Sequence, residues 1–409
     1  MPYHIISSTV VQEEDRDSAR IKYWCDLDLK TQAQAEDVAR HPAIIGHVAL
    51  MPDAHMGYGM PIGGVACLDR AVSPNMVGVD IGCGMTAMRT GHTVAEFTEK
   101  QWNQILRSVR NRIPVGFNRR NPDGAKMSKW HSIPLGLYQR EMERLIKLNH
   151  YTNGKTCPDS VWEQIGTLGG GNHFIEFQKN NQDEVCVMIH SGSRNIGKQI
   201  ADYHNKVAVR LCKAWKICVM KDLAYLPLDT AEGKDYMGDM QFAMVFAAAN
   251  RRVMMQIIYR ALVDAGIAVD GMNLVNMIDI HHNYAVKEHH YGNDVLVHRK
   301  GATLARKGTI GIIPGSMGTS SYIVEGLGNQ DSYHSCSHGA GRAMGRRKAK
   351  ETIKFEDFKQ AMKDVRYTPI AENLDEAPQA YKDIDDVMNR QKDLVRIRAK
   401  LTPLAVVKG

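Results

Sequence analysis

The spacing of apolar positions changes several times along this chain, and each change marks an element. From 97 to 113, Trp102, Ile105, Leu106, Val109 and Ile113 recur at intervals of three and four, which predicts an amphipathic helix. A similar pattern recurs at 134–148. Between them FNRRNPDGAKMSKWHS is polar, basic and aperiodic, so it is expected to form a surface loop able to touch a polyanion. TQAQAEDVAR (31–40) predicts a short helix, and HVALMPDAHMGYGMPIGGVACLD alternates short β-like runs with glycine turns. VCVMIH (185–190) predicts a strand that runs through SGSRNIG into a helix over 198–216. The segment 240–265 is apolar on more than one face, which predicts a buried helix whose methionines belong to the core. Short strands are expected at 275–280, 294–299 and 321–325, and helices at 341–363 and 380–401. Without internal repeats, low-complexity tracts or a linker, the chain reads as one interleaved body.

Composition narrows the class. With 44% hydrophobic and 24% charged residues and 14 prolines in 409, the chain can bury a large core, which excludes a disordered or fibrous protein. The longest strictly apolar run, 242–249, is eight residues and stops at Asn250 and Arg251. That is far short of the ~20 that a membrane span requires. The first twenty residues lack a basic stretch followed by an apolar one, so no secretory signal is read, and a cytoplasmic protein is expected. Its eight scattered cysteines are then thiols. Lys plus Arg (52) exceeds Asp plus Glu (45), a formal +7 that suits a polyanion partner but is common without one. The 35 glycines and 17 histidines stand out because many adjoin each other.

Six such clusters carry candidate chemistry. In VGVDIGCGM, a carboxylate (Asp80) and a thiol (Cys83) three residues apart can face one metal ion; equally, Cys83 can be a small buried hydrophobe and Asp80 a turn residue. In LGGGNHFIE, Gly169 to Gly171 would let backbone N–H groups approach a phosphate, and Asn172 and His173 follow as donor and ligand. In IHSGSRNIG, His190 ends a strand and Arg194 is set to pair with a phosphate. In DIHHNYAVKEHH either His281 or His282 can ligate, while His289 and His290 are expected on the surface. Together these clusters make a metal site with a mixed O, N and S donor set, which suits Mn, Zn or Fe. GIIPGSMGTSSYIV is a glycine- and hydroxyl-rich loop without the lysine of a phosphate-binding Walker loop. SCSHGAGRAMGRRKAK sets His338 before a small-residue turn and a run of cations; it reads as a solvated basic helix, or as a nucleophile with cations for a nucleotide and a nucleic-acid backbone.

PDAHMGYGMPIGGV, VGVDIGCGM, LGGGNHFIE, HSGSRNIG, HHN, RKGA, PGSMG, SHGAGR and the terminal VVKG, in this order, resemble the RtcB family of RNA-splicing ligases from about Ala43 to Gly409. The resemblance implies an α+β fold over 1–409, one ligase domain with β-sheets around a central metal and nucleotide cleft and helices outside. It implies two Mn²⁺ ions bridged by Cys83, with Asp80 and His173 on one and His190 and His282 on the other; His282 is preferred because it directly precedes Asn283. It implies His338 as the nucleophile that takes GMP from GTP. Nucleotide contacts would fall at Asn172, Glu176, His282, Asn283, Pro314, Gly315, Ser316, Met317, Ser321, Gly339, Ala340, Gly341 and Lys408, with guanine selection by Glu176, Ser321 and Lys408. The implied reaction joins an RNA 3′-phosphate or 2′,3′-cyclic phosphate end to a 5′-hydroxyl end, in RNA repair or tRNA splicing, with an archease-like activator as a further partner and no membrane.

Two rivals use the same residues differently. A dinuclear metallophosphoesterase would need the metal ligands but neither His338 nor the PGSMG loop. An RNA-binding protein with a structural metal would show closed coordination and no GTP dependence.

Overall fold

The structure, a computed structural model, describes residues 4–6, 21–120, 163–220, 222–268 and 276–409. The expected helix at 134–148 and all but the first four residues of the expected basic loop lie outside the described residues. In chain order the strands are β1 His4–Ile6, β2 Ile21–Tyr23, β3 Ile44–Tyr58, β4 Met60–Leu68, β5 Ala71–Val72, β6 Gly84–Thr93, β7 Phe174–Lys179, β8 Glu184–Ser191, β9 Leu226–Pro227, β10 Ile278–His281, β11 Asn283–His290, β12 Asn293–Lys300, β13 Ala302–Leu304, β14 Ile310–Ile313, β15 Ser321–Gly326, β16 Ser335–Ser337 and β17 Val395–Lys408. The α-helices are α1 Leu29–Ala39, α2 Pro74–Val77, α3 Glu99–Arg112, α4 Arg194–Ala214, α5 Ala231–Asp264, α6 Arg346–Thr352, α7 Phe355–Ala361 and α8 Ile384–Asn389.

Two sheets organise one α+β body, as the resemblance implies. One runs β1-β2-β3-β4-β12-β11; the other runs β10-β6-β8-β7-β17-β15-β14. The outermost strands of the second, β10 and β14, approach each other, so that sheet curls towards closure. Strand β8 shows why the curled sheet positions a site. Its alternation puts Val185, Val187 and Ile189 on one face, where they join Trp102 and Val109 of α3, Ile200 of α4 and Phe246 of α5 in the main core. Cys186 and Met188 face the inside of the curl with Met85, Ala87, Ile312 and Leu401. His190 continues that inner row. One face thus anchors the helices while the other delivers functional groups.

Most expected elements are present within a few residues. Helix α5 starts at Ala231, well before 240, because Thr230 caps it and its first turn is polar: the Thr230 hydroxyl accepts from Gly233 N at 3.1 Å. The span 341–363 is not one helix but α6 and α7, parted by extended Ile353 and Lys354. The expected helix at 380–401 is a larger miss. Only α8 is helical there, and β17 takes the rest, pairing with β15 on one side and β7 on the other. Arg396, Arg398 and Lys400 alternate with Ile397, Ala399 and Leu401, a period of two that suits a strand. Across the pair Glu325 meets both arginines, with Arg396 at 2.9 Å. Among the described residues no helix is long and apolar enough to cross a membrane. The described cysteines are free thiols, and all but Cys218 are buried.

Candidate active site

Register assembles the first site. His190 pairs across to Met85 on one side and to Phe174 on the other, and His281 pairs with Gly84. The residues next to those positions, Cys83, His173 and His282, are therefore brought to the same end of the curled sheet. Asp80 joins them from the turn before β6. Asp80 Oδ2 lies 3.0 Å from His173 Nε2, and Cys83 Sγ lies 3.5 Å from His173 Nε2 and 3.3 Å from His190 Nε2. His190 Nε2 lies 3.4 Å from His282 Nε2. All five expected metal ligands form one row, buried except at Asp80, whose side chain is 33% exposed.

The outer ring nitrogens explain which atoms face inward. His173 Nδ1 meets Leu168 O at 3.0 Å and His190 Nδ1 meets Asn172 O at 3.1 Å. A carbonyl only accepts, so both Nδ1 atoms carry the proton and both Nε2 lone pairs point into the cluster. Burial holds His190 and His282 well below the usual imidazole range, which keeps these lone pairs unprotonated. Burial, reinforced by Asp80, pushes the Cys83 thiol far up. Desolvation pushes the Asp80 carboxyl up, but the adjoining His173 ring and the Arg194 charge hold it below the usual range. His282 Nδ1 has no hydrogen-bond partner among the described residues. Acceptors crowded against acceptors, with an orphaned buried nitrogen, suit a cation, so this donor set fits a metal ion.

His338 stands beside the row, its ring 4.9 Å from that of His282. Its Nδ1 lies 2.6 Å from Asp53 Oδ2, which also accepts from the backbone N–H groups of His338 and Gly339 at 3.0 and 3.2 Å. Asp53 is fully buried; burial pushes its carboxyl up, but His338 holds it lower still than usual. The ionised carboxylate accepts, so Nδ1 carries the proton and Nε2 is left as a nucleophilic lone pair. Gly341 permits this arrangement: at φ +72 a Cβ there would lie 2.2 Å from Asp53 O.

A cleft of about 870 Å³ opens over His190 and His338. Of the residues that the resemblance implies as nucleotide contacts, Asn172, 314–317, His338, 339–341 and Lys408 line it. Arg342, Arg346, Glu376 and Tyr381 line it as well. Four expected contacts do not reach its wall: His282, which faces the ligand row, and Asn283, Glu176 and Ser321. Asn283 spends its amide on Asp80 O at 3.0 Å and Gly301 N at 2.8 Å. Glu176 and Ser321 lie deeper, joined through Gln178. Lys408 is paired with Glu376 at 3.0 Å; burial lowers its ammonium, and Glu376 opposes that shift.

Two other readings change. Arg194 is not a free phosphate clamp: its guanidinium lies against Gly169, where a Cβ would come 2.1 Å from Nη1, and it bonds Thr167 Oγ1 at 3.1 Å and Gly116 O at 3.3 Å. The glycine at 169 makes room for arginine. His289 is exposed, but His290 is buried against Glu288. The sequence reading also missed Asp53, although it sits in the quoted PDAHMGYG motif, and it missed Asn250 and Arg251. Asn250 bonds the backbone of Thr167 and Gly192, and Arg251 bonds Gly82 O and Ser191 O. These two interrupt the longest apolar run, and that interruption was the available signal.

Such an arrangement defines a class: an α+β enzyme working at a cleft over a buried cluster able to take a metal. The particular family follows from likeness of sequence. The family model of the tRNA-splicing ligase RtcB matches residues 34–409. The chain is 38% identical to the RNA-splicing ligase RtcB of Escherichia coli K12, over 96% of this chain and 98% of that protein. It is 31% identical to the tRNA-splicing ligase RtcB of Nanoarchaeum equitans, over 93% of this chain and 92% of that one. It belongs to the RtcB family of RNA-splicing ligases.

Proposed function

We propose that residues 1–409 act as one GTP- and manganese-dependent RNA ligase in the cytoplasm, joining 3′-phosphate or 2′,3′-cyclic phosphate ends to 5′-hydroxyl ends. The observation that carries this is the Asp53–His338 pair at the edge of the cleft. His338 Nε2 attacks the α-phosphorus of GTP, the P–N bond forms, and pyrophosphate leaves. An oxygen of the RNA 3′-phosphate then takes the GMP group from His338. The 5′-hydroxyl attacks that activated phosphate, loses its proton and releases GMP. Asp53 keeps the His338 proton on Nδ1 and steadies the positive charge that develops as Nε2 bonds to phosphorus. Asp80, Cys83, His173, His190 and His282 would hold two Mn²⁺ ions. Bound there, the ions supply Lewis-acid stabilisation of phosphate charge. The 314–317 and 339–341 segments position the triphosphate, and Arg342 and Arg346 add positive charge at the cleft. The phosphoesterase rival gives the Asp53–His338 pair no task.

The test is incubation with α-labelled GTP and Mn²⁺ followed by denaturing electrophoresis. The unmutated protein should retain label, and His338→Ala should retain none while keeping its fold and metal content. Asp53→Asn should slow labelling by about two to four orders of magnitude, since the imidazole loses its tautomer and orientation. Label retained in His338→Ala would move the nucleophile elsewhere.

A further inference from the structure

The aspartate that fixes His338 also fixes a second imidazole. His55 Nδ1 lies 2.9 Å from Asp53 O, two residues back on β3. A carbonyl only accepts, so Nδ1 carries the proton and Nε2 is left as a lone pair. His55 lines the same cleft as His338. Its neighbours set it in the same corner: it pairs with Ile62 across β3 and β4, and Ile62 lines the cleft too. A Cβ at Gly301 would lie 2.4 Å from Ile62 Cγ2 and 3.0 Å from His338 Cε1, so Ile62 and His338 close on one point. One buried residue therefore orients two histidines, its carboxylate holding the nucleophile and its carbonyl holding His55.

The ligase steps written above leave a task for one base. His338 attacks as a lone pair, and the RNA 3′-phosphate oxygen is already an anion, so neither of those steps has a proton to move. The 5′-hydroxyl does, because it must shed its proton as its oxygen bonds to phosphorus. Burial holds the His55 imidazolium down, to about 4, with the His338 and Lys382 charges adding to the shift and Asp53 opposing it. His55 is therefore a free base at neutral pH. An RNA phosphate arriving in the cleft brings negative charge, which favours the imidazolium and strengthens the base when its substrate is present.

We infer that His55 is the general base of strand sealing. As the 5′-hydroxyl oxygen bonds to the activated 3′-phosphorus, the proton passes to His55 Nε2, the P–O bond to GMP breaks, and GMP leaves with the electron pair. The inference rests on the reading of this cleft as an RNA ligase site.

The experiment separates sealing from labelling. The full chain with Mn²⁺ is given a 5′-hydroxyl RNA and an RNA whose 3′ end already carries GMP in a pyrophosphate linkage, and covalent labelling by α-labelled GTP is followed in parallel. His55→Asn keeps an N–H donor for Asp53 O and removes the base. It should slow sealing about 10²- to 10⁴-fold, the worth of a positioned base, and about tenfold or more beyond any slowing of labelling. His55→Ala should show the same split, and it keeps the test open should His55→Asn fold poorly. Added imidazole should restore sealing by His55→Ala about tenfold or more, which a purely structural loss would not allow. Sealing within about threefold of the unmutated rate, labelling lost as far as sealing in both variants, or no response to imidazole overturns the role of His55. Normal sealing in His55→Asn beside lost sealing in His338→Ala would hand the proton to His338 instead. An unmutated protein that neither takes label from GTP nor seals the activated RNA overturns the ligase reading, and this inference with it.

Discussion

Two buried histidine clusters in this molecule look alike by composition and differ in what fills their centres. Cys83, His173 and His190 gather at one end of the curled sheet; Glu288, His290 and His334 gather near the end of β11. Either set has ligand atoms close enough to share a metal ion. In the second set, however, protein cations already occupy the carboxylate. Arg299 meets Glu288 Oε1 at 2.6 Å and Oε2 at 3.3 Å, Arg306 meets Oε2 at 3.3 Å, and His290 Nε2 meets it at 2.9 Å. Arg299 is itself fixed by Ser335 Oγ and Tyr333 O at 2.9 and 2.8 Å. In the first set the guanidiniums of Arg194 and Arg251 are turned to backbone oxygens, to Thr167, to Asp279 and to the outer Nδ1 atoms of His173 and His281, away from the inner Nε2 atoms. Its inner lone pairs meet only one another. A ligand-like composition becomes a candidate metal site only where no cation of the chain already sits at the lone pairs.

The largest effect expected from breaking this contrast is at Cys83. Cys83→Ala should lower bound Mn²⁺ and abolish covalent labelling by GTP, because the thiol lies between the two halves of the ligand row. Metal analysis and labelling of the variant check this; near-normal values would make Cys83 a small buried hydrophobe, like Cys67 or Cys336. Next in size is Arg299→Met. It should leave metal content unchanged but cost about 3–5 kcal/mol of stability, measured by denaturant unfolding, because Glu288 would lose its main buried partner.

The contrast also shows what could be read from the sequence. Asp80, Cys83, His173, His190 and His282 were legible because each sits beside a strand end within a dense local motif. His282 over His281 came from the resemblance; His281 instead turns its Nδ1 to Gly82 O at 2.9 Å. Asp53 was not legible as the partner of His338, since the two are separated by 285 positions and only the packing of β3 against the 338–341 turn unites them. Arg299 and Glu288 hid for a similar reason: charged residues at strand positions read as surface, and their burial depends on each other. The helix expected at 380–401 failed because its charges and apolar residues fit two periods, and pairing with β7 and β15 selected the strand.

A third test sharpens the contrast through pH. Burial pushes the Glu288 carboxyl up, but His290 and Arg299 outweigh it and hold the group at about 2, below its ordinary 4.5. A carboxyl lowered on folding stabilises the native state fully above its unfolded value and loses that contribution as pH falls through the folded one. Stability should therefore decline between pH 4.5 and about 2, as followed by thermal melting. In Arg299→Met the folded value moves back towards 4.5, so this acid decline should be smaller. An identical acid profile in the two proteins would mean that Arg299 does not hold the carboxylate.

The smallest effect is expected at His334, and it separates the clusters most cleanly. His334 is only half-buried, at φ +52, with its ring 4.9 Å from that of His290. If the Glu288 cluster bound a metal, His334 would be one of three ligands, and its loss would release the ion and lower stability in metal-containing buffer. If Arg299 and Arg306 already serve as the cations, His334 contributes little beyond a ring contact. His334→Ala should then change stability by about 1 kcal/mol or less, with or without added Mn²⁺ or Zn²⁺. Metal content and GTP labelling should match the unmutated protein. A metal-dependent loss of stability in this variant, absent in Cys83→Ala, would place an ion at Glu288 after all and show that two arginines do not exclude one.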